Sequence, residues 1–306
     1  ARSAIAGTTS CARPGTAAAS TAIRLDSATM RAKGPDMIRI NLKTLLIAGA
    51  CLGAGPLGAH ETWLEPESYQ ARPGEAIGID IRNGQHFAGM ALPWLDRGIE
   101  RFVVIEGPLE RPITGRLGDM PAARVTPRAE GLMVVGLQSG LDRLTYADWA
   151  KFAAFVAEKE LTGTLEAHRA RALPETGFAE VYRRLAKTLV GVGAAEGADR
   201  ALGFVTEFVA LANPYAAGFD GEMAAQLLED GAPRRGVRVT AFARAPDGTV
   251  TEAHLRTDAE GVVRLRVSPG HVYLLDAVLM RPAPAEADAA WLSLWAALSF
   301  AVPPAR

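Results

Sequence analysis

The apolar positions between residues 60 and 142 follow the spacing of β-strands. Residues 76–81 alternate along the chain, and residues 101–105 and 131–137 are short apolar runs. Alternation and short runs of this length are typical of strands with one or two buried faces. Turn-forming dipeptides separate them, namely Pro73-Gly74, Asn83-Gly84 and Gly107-Pro108. The pattern predicts an N-terminal β domain over residues 60–142, arranged as a small sandwich.

Between residues 143 and 198 the apolar period changes to that of helices. Thr145-x-x-Asp148 has the spacing of a capping box and precedes a helical stripe formed by Trp149, Phe152, Ala153 and Val156. A second helix is predicted from about Glu175 to Gly191, with one face formed by Phe178, Val181, Tyr182, Leu185 and Leu189. His168 lies among charged residues, and we interpret it as a solvated helix residue. Residues 143–198 are therefore predicted to form a helical insertion.

The remainder of the chain, residues 199–306, returns to strand-like patterns. Turns recur every ten or so residues, as in immunoglobulin-like sandwiches. The predicted strands are residues 237–244, 250–257, 262–267, 272–279 and 292–301. We predict a C-terminal sandwich of immunoglobulin or transthyretin type, and a mainly β (α+β) fold with a two-helix insertion between two β regions.

Residues 1–59 have the features of a leader. From Met37, a basic segment with Arg39 and Lys43 precedes the uncharged run 44–59, which ends in Leu57-Gly58-Ala59. These features predict a signal peptide that begins at about residue 37 and is cleaved after Ala59. A transmembrane anchor is the alternative, but a run of 16 residues is short for a bilayer. Lipidation at Cys51 is a further option.

Charge and cysteine content change once the leader is set aside. The whole chain has 33 basic and 34 acidic residues, which excludes a polybasic nucleic-acid binder as the default class. Seven of the basic and two of the acidic residues fall within 1–59, so residues 60–306 carry a formal charge of −6. Both cysteines also fall there. The predicted mature protein is acidic, free of cysteine, and touches the membrane only through the leader before cleavage.

Cleavage after Ala59 would make His60 the first residue of the mature chain. A terminal histidine offers two nitrogen ligands, its α-amine and its imidazole, and these suit Ni, Co, Cu and Zn. The alternative is that His60 merely follows the peptidase site.

Several segments of the mature sequence have a characteristic order and spacing, among them residues 60–66, 84–89, 180–187, 213–215, 257–261 and 291–296. On these segments the sequence resembles the DUF4198 family of secreted bacterial proteins, and the resemblance extends over essentially the whole mature chain. Members are often described as periplasmic components of cobalt or nickel uptake. The resemblance thus implies a two-part β architecture, a periplasmic location, and a metal-uptake transporter or TonB-dependent receptor system as partner.

The candidate metal ligands are ranked by how directly they follow from these arguments. His60 comes first, and His86 second because it follows Asn83-Gly84 on a predicted loop. Glu61, with Glu65, could add carboxylate ligation or orient the site. His271, at a turn, and His254, in a strand, could approach the site only if the two sandwiches face each other.

Two other functions stay open beside divalent metal binding. One is a copper enzyme with an N-terminal histidine brace, as in lytic polysaccharide monooxygenases, for which His86 could be the second histidine. The other is a metal-free extracytoplasmic binding or structural module. The sequence contains no Gly-x-Ser-x-Gly elbow, phosphate loop, His-Glu-x-x-His helix or Cys-x-x-Cys pair. We therefore expect a binding protein rather than an enzyme.

Overall fold

The computed structural model describes residues 60–305, so the predictions made on residues 1–59 lie outside the described part of the chain. Two α-helices, α1 (Trp149–Glu158) and α2 (Thr164–Ala170), and two 3₁₀ turns, Asp96–Gly98 and Ala285–Ala287, accompany eighteen strands. The strands are β1 (Glu61–Pro66), β2 (Gln70–Ala71), β3 (Ile77–Gln85), β4 (Ala88–Leu92), β5 (Ile99–Glu106), β6 (Leu109–Pro112), β7 (Ala123–Val125), β8 (Gly131–Ser139), β9 (Asp142–Tyr146), β10 (Phe178–Val192), β11 (Thr206–Ala210), β12 (Glu222–Glu229), β13 (Ala232–Pro233), β14 (Arg238–Arg244), β15 (Val250–Arg256), β16 (Val262–Arg266), β17 (Val272–Pro282) and β18 (Trp291–Ala301). The predicted mainly β (α+β) fold is confirmed, and two helices are present, but the second lies at Thr164–Ala170 and not at the predicted position.

One large sheet organises the described residues. It has ten strands, in the order β15-β14-β17-β18-β10-β8-β5-β6, with β2 and β9 paired to β10. Two four-stranded sheets accompany it, one of β1, β3, β4 and β7 and the other of β11, β12, β13 and β16. Strands from residues 60–142 and from residues 199–306 therefore share the large sheet, and the described residues belong to one compact unit.

The large sheet is apolar on both faces. Along β10, Val181, Leu185 and Leu189 belong to one buried core together with residues of β11 and β12. The intervening residues Ala186 and Val190 belong to a second core with residues of β1 and β3. Because alternate residues of a strand point to opposite faces, each small sheet covers part of a different face.

This double burial explains why the predicted helix from Glu175 to Gly191 is wrong. Residues 178–192 form the longest strand of the fold, in parallel register with β18. Spacings of four, as in Val181, Leu185 and Leu189, keep side chains on one face of a strand as well as on one face of a helix. Phe178 and Tyr182 lie on the opposite face of the strand. Together with the first three residues they produce the spacing of a helical stripe.

Helices α1 and α2 form a third apolar cluster with the ends of β10 and β18. The N-cap of α1 is Asp148, whose carboxylate accepts a hydrogen bond from the Ala150 amide at 2.8 Å. His168 is fully buried, which corrects its interpretation as a solvated residue. Its Nδ1 accepts from Trp291 Nε1 at 3.0 Å, and its Nε2 donates to the Pro174 carbonyl at 3.0 Å. The imidazole therefore joins α2 to β18.

Asn83-Gly84 is part of β3 and not the predicted turn. The chain reverses at His86 and Phe87, which have φ values of 51° and 58°. A Cβ on Gly84 would lie 2.0 Å from the Ala88 carbonyl oxygen. Glycine is thus needed here for the close approach of β4, not for a turn.

Within residues 60–305, neither helix is long and apolar enough to cross a bilayer.

Candidate functional site

His60 directly precedes β1 and is exposed to solvent. It lines a cavity of about 280 Å³, which we call the His60 cavity. The polar side chains in its wall are those of Thr62, Asn83, Ser139, Asp142, Tyr182 and Arg184. The imidazole of His60 therefore shares this cavity with a carboxylate, a phenol and a guanidinium.

The neighbouring Glu61 points into a buried ion cluster instead of into solvent. Its Oε1 lies 3.0 Å from Lys159 Nζ, and Asp276 Oδ2 lies 3.4 Å from the same nitrogen. The three side chains are 4%, 6% and 1% exposed for Glu61, Lys159 and Asp276. We call these residues the Lys159 cluster. As a metal ligand, Glu61 would have to give up this ion pair.

Burial and the neighbouring charges shift the pKa values of all three residues of the Lys159 cluster. Burial raises the pKa of Glu61, and the charge of Asp276 raises it further. The pKa of Asp276 is raised by burial as well, although Lys159 and Arg184 oppose the shift. Burial acts to lower the pKa of Lys159, but the Asp276 and Glu61 carboxylates outweigh it and the net shift is upward. The ammonium is thus held charged between two carboxylates.

Arg184 connects this cluster with the His60 cavity. Its guanidinium carbon lies 4.0 Å from the centre of a Trp295 ring, and Lys159 Nζ lies 5.1 Å from a Trp295 ring centre. Burial lowers the pKa of Arg184, opposed most strongly by Asp276. Its Nη1 is buried and has no hydrogen-bond partner within residues 60–305. One cation therefore faces the cavity from a position beside the buried carboxylates.

Sequence reasoning missed Lys159, Arg184 and Asp276. Asp276 offered a signal, since it is the only charged residue in the apolar run 272–280, and such a charge needs a partner when the strand is buried. Lys159 offered none, because it follows the apolar stripe of α1 as an ordinary helix-end lysine would.

His86 lies at the same end of the β1–β3 pair as His60. Glu61 pairs with Gly84 in this ladder, and His86 is two residues further along. Its side chain is 76% exposed, and its Nδ1 lies 3.0 Å from Glu252 Oε2. Glu252 also approaches His254, whose Nε2 is 3.4 Å from Oε1. His60 and His86 thus share one end of the β1–β3 pair, but His86 contacts Glu252 of β15 and does not line the His60 cavity.

His271 lies elsewhere on the molecule. Its Nδ1 is 3.1 Å from the Pro269 carbonyl oxygen, and it precedes β17. It lies five positions before Asp276, which corresponds to about 16 Å along a strand. The position of His271 therefore separates it from Glu61 and the Lys159 cluster.

Protein side chains alone do not assemble a complete metal site in the described range. Across residues 60–305, no group of three or more His, Cys, Asp and Glu residues is placed to hold a metal ion.

Comparisons with known proteins bear on the family but not on the activity. One solved structure, described as the crystal structure of a tetra-tandem repeat in the extending region of a large adhesion protein, matches with 9% identity and a TM-score of 0.19. The match covers 79% of this chain and 49% of that chain, so this chain spans about half the length of that structure. No curated protein matches the sequence. A family model described as a domain of unknown function, DUF4198, matches residues 57–281. Since this range is well over half of the sequence, the chain belongs to the DUF4198 family.

Proposed function

We propose that this chain is a periplasmic metal-binding protein that supports the uptake of nickel or cobalt, with binding rather than catalysis as its role. In this proposal the metal is cargo, held by the α-amine and imidazole of His60 after removal of the leader. A metal-uptake transporter or a TonB-dependent receptor system would be the partner.

The position of His60 carries the proposal. The residue is exposed at the rim of the His60 cavity, and the strand that follows it is paired with β3 from Glu61 to Pro66. The backbone is therefore fixed immediately after the proposed chelate. A terminal histidine contributes two donors by itself, so it does not need a preformed cluster of three side chains.

Two side chains are further candidate donors. The Asp142 carboxylate lines the His60 cavity, while the exposed His86 imidazole lies outside this cavity at the same end of the β1–β3 pair. Imidazole, amine and carboxylate together suit divalent transition metals, with Cu and Zn as further candidates. The formal charge of −6 on residues 60–306 also favours the attraction of cations.

Divalent metal binding should depend on a free α-amine at His60. We would titrate Ni²⁺ and Co²⁺ into the chain that begins at His60 and into the same chain with one alanine added before it. We expect the added alanine to weaken binding at least about tenfold, because even an altered outer-shell partner lowers metal affinity by roughly 10–100-fold. Equal affinity of the two forms would contradict the terminal chelate, and absence of binding in both would overturn the metal function.

Variants of single side chains identify the remaining ligands in the same titration. Asp142→Asn and His86→Ala test the two neighbouring donors. His271→Ala is the control, because His271 is a half-buried turn histidine that lies away from Glu61. A loss in His271→Ala equal to that in the other two variants would indicate nonspecific surface binding.

A further inference from the structure

A second cavity, independent of His60, lies between the α1–α2 connection, the segment before β14, and β17. It encloses about 270 Å³, slightly below the usual range of ligand pockets, roughly 300–1,000 Å³. Four of its lining residues are basic, namely Lys159, Arg234, Arg238 and Arg256, and one is acidic, Glu160. We call it the basic cavity.

The single carboxylate does not neutralise the arginines of this wall. Glu160 accepts from Arg238 Nη1 at 3.3 Å and from Arg256 Nη2 at 2.6 Å. One negative charge is thus shared by two guanidinium groups, and one positive charge remains. Lys159 does not add to this excess, because its ammonium is paired with the carboxylates of the Lys159 cluster.

Arg234 supplies the most buried cation of the basic cavity. It is 8% exposed, donates from Nη2 to the Val278 carbonyl at 3.1 Å, and has Nε 3.4 Å from Glu229 Oε2. Its Nη1 is buried and makes no hydrogen bond to any residue of the described chain. Burial lowers the pKa of Arg234, but a guanidinium remains charged in proteins.

Arg238, which lines the same cavity, also has a buried N–H donor without a partner in the described chain. This donor is its Nε, while its Nη1 is used by Glu160. A buried N–H donor that lacks an acceptor costs free energy, more so when the group is charged. Both arginines line the basic cavity, and an anion with several oxygens there would supply acceptors that the described chain does not.

We propose that the basic cavity binds a small oxyanion, the carboxylate or phosphate group of a small molecule. Guanidinium groups present forks of N–H donors that match the oxygens of these anions. The excess positive charge disfavours a metal cation, and the volume disfavours a polymer. This site does not depend on the proposed metal function.

Calorimetric titration of protein produced from the full chain tests the proposal. Inorganic phosphate and citrate are the probes, and sodium chloride at matched ionic strength is the reference. Saturable binding of phosphate alone identifies a phosphate site, binding of citrate alone a carboxylate site, and binding of both a general oxyanion site. Absence of saturable binding for both probes would overturn the inference.

Two variants locate the binding to this cavity. Arg256→Gln removes a side chain that is 59% exposed, so we expect folding to persist and affinity to fall by roughly tenfold or more. Arg266→Gln is the matched control, because Arg266 is a 74% exposed strand arginine paired with Glu222 and is not part of this cavity. Unchanged affinity in Arg256→Gln, or equal weakening in both variants, would refute a site in the basic cavity.

Discussion

Replacing Lys159 by methionine should destabilise the fold severely and in a pH-dependent way. The substitution keeps an unbranched side chain beside Trp295 but removes the cation that both buried carboxylates contact, at 3.0 Å for Glu61 and 3.4 Å for Asp276. The second carboxylate oxygens, Glu61 Oε2 and Asp276 Oδ1, are buried and have no hydrogen-bond partner within residues 60–305. Removing one member of a buried ion pair costs about 3–5 kcal/mol. We expect a loss of this size in the free energy of unfolding at about pH 7.

The sign of the pH dependence follows from the two carboxyl groups. Burial already raises the pKa of Glu61 and Asp276 above their ordinary values of 4.5 and 3.8, and loss of Lys159 raises both further. The folded variant then binds more protons than the unfolded chain between the ordinary and the raised values, so its stability increases as the pH falls through this window. The deficit of Lys159→Met relative to the unmodified protein should therefore shrink towards about pH 4.

Urea unfolding followed by tryptophan fluorescence, at about pH 7 and about pH 4, measures this difference. Lys151→Met is the control, because Lys151 is an exposed lysine of α1 and such changes usually stay within about 0.5 kcal/mol. A deficit of equal size at both pH values would refute the electrostatic reasoning and indicate a loss of packing. A deficit no larger than that of the control would show that the cluster does not stabilise the fold.

Three further substitutions test the fold by the same unfolding assay. Gly84→Ala should lower the free energy of unfolding by about 1–3 kcal/mol through overpacking, since its Cβ would lie 2.0 Å from the Ala88 oxygen. The control Gly218→Ala has open space around it and should leave the stability nearly unchanged. Equal effects of the two substitutions would contradict the close approach of β4 to Gly84. Leu189→Ala should cost about 2–5 kcal/mol, because the residue is fully buried in the large sheet, and a near-zero change would contradict that position. Trp291→Phe removes the donor to buried His168 and should cost about 1–3 kcal/mol, so an unchanged midpoint would contradict a structural hydrogen bond.

The strands of the C-terminal region could be predicted because turns separate them. Residues 237–244, 250–257 and 262–267 correspond within one or two residues to β14, β15 and β16. Local turn chemistry limits each of these segments, and their boundaries can therefore be found without knowledge of distant contacts. β12 was missed for the opposite reason. Its sequence, Glu-Met-Ala-Ala-Gln-Leu-Leu-Glu, consists of residues with high helix propensity, and only pairing with β11 and β16 places it in a sheet.

The candidate site was partly accessible from the sequence for a related reason. His60 could be proposed as a ligand because the expected cleavage depends only on neighbouring residues. Lys159 and Asp276 are 117 residues apart, and their contact depends on the packing of α1 against the large sheet. His168 offered a polar local context, whereas its burial is determined by β18 and by the segment after α2. Buried polar side chains whose partners lie far away in the sequence therefore stayed hidden.

Glu61 links the proposed metal site to the buried cluster and limits which ligands can serve. A carboxylate beside His60 is chemically suitable for a divalent metal. The Glu61 side chain, however, is only 4% exposed and forms an ion pair with Lys159. Turning it outward would break the buried pair, and a cost of about 3–5 kcal/mol corresponds to roughly two to four orders of magnitude in affinity. Asp142 is exposed, and the His86 side chain is 76% exposed, so neither has to leave a buried pair. For the proposed metal site these two side chains are therefore better candidate ligands than Glu61, which holds the start of β1 against α1 and β17.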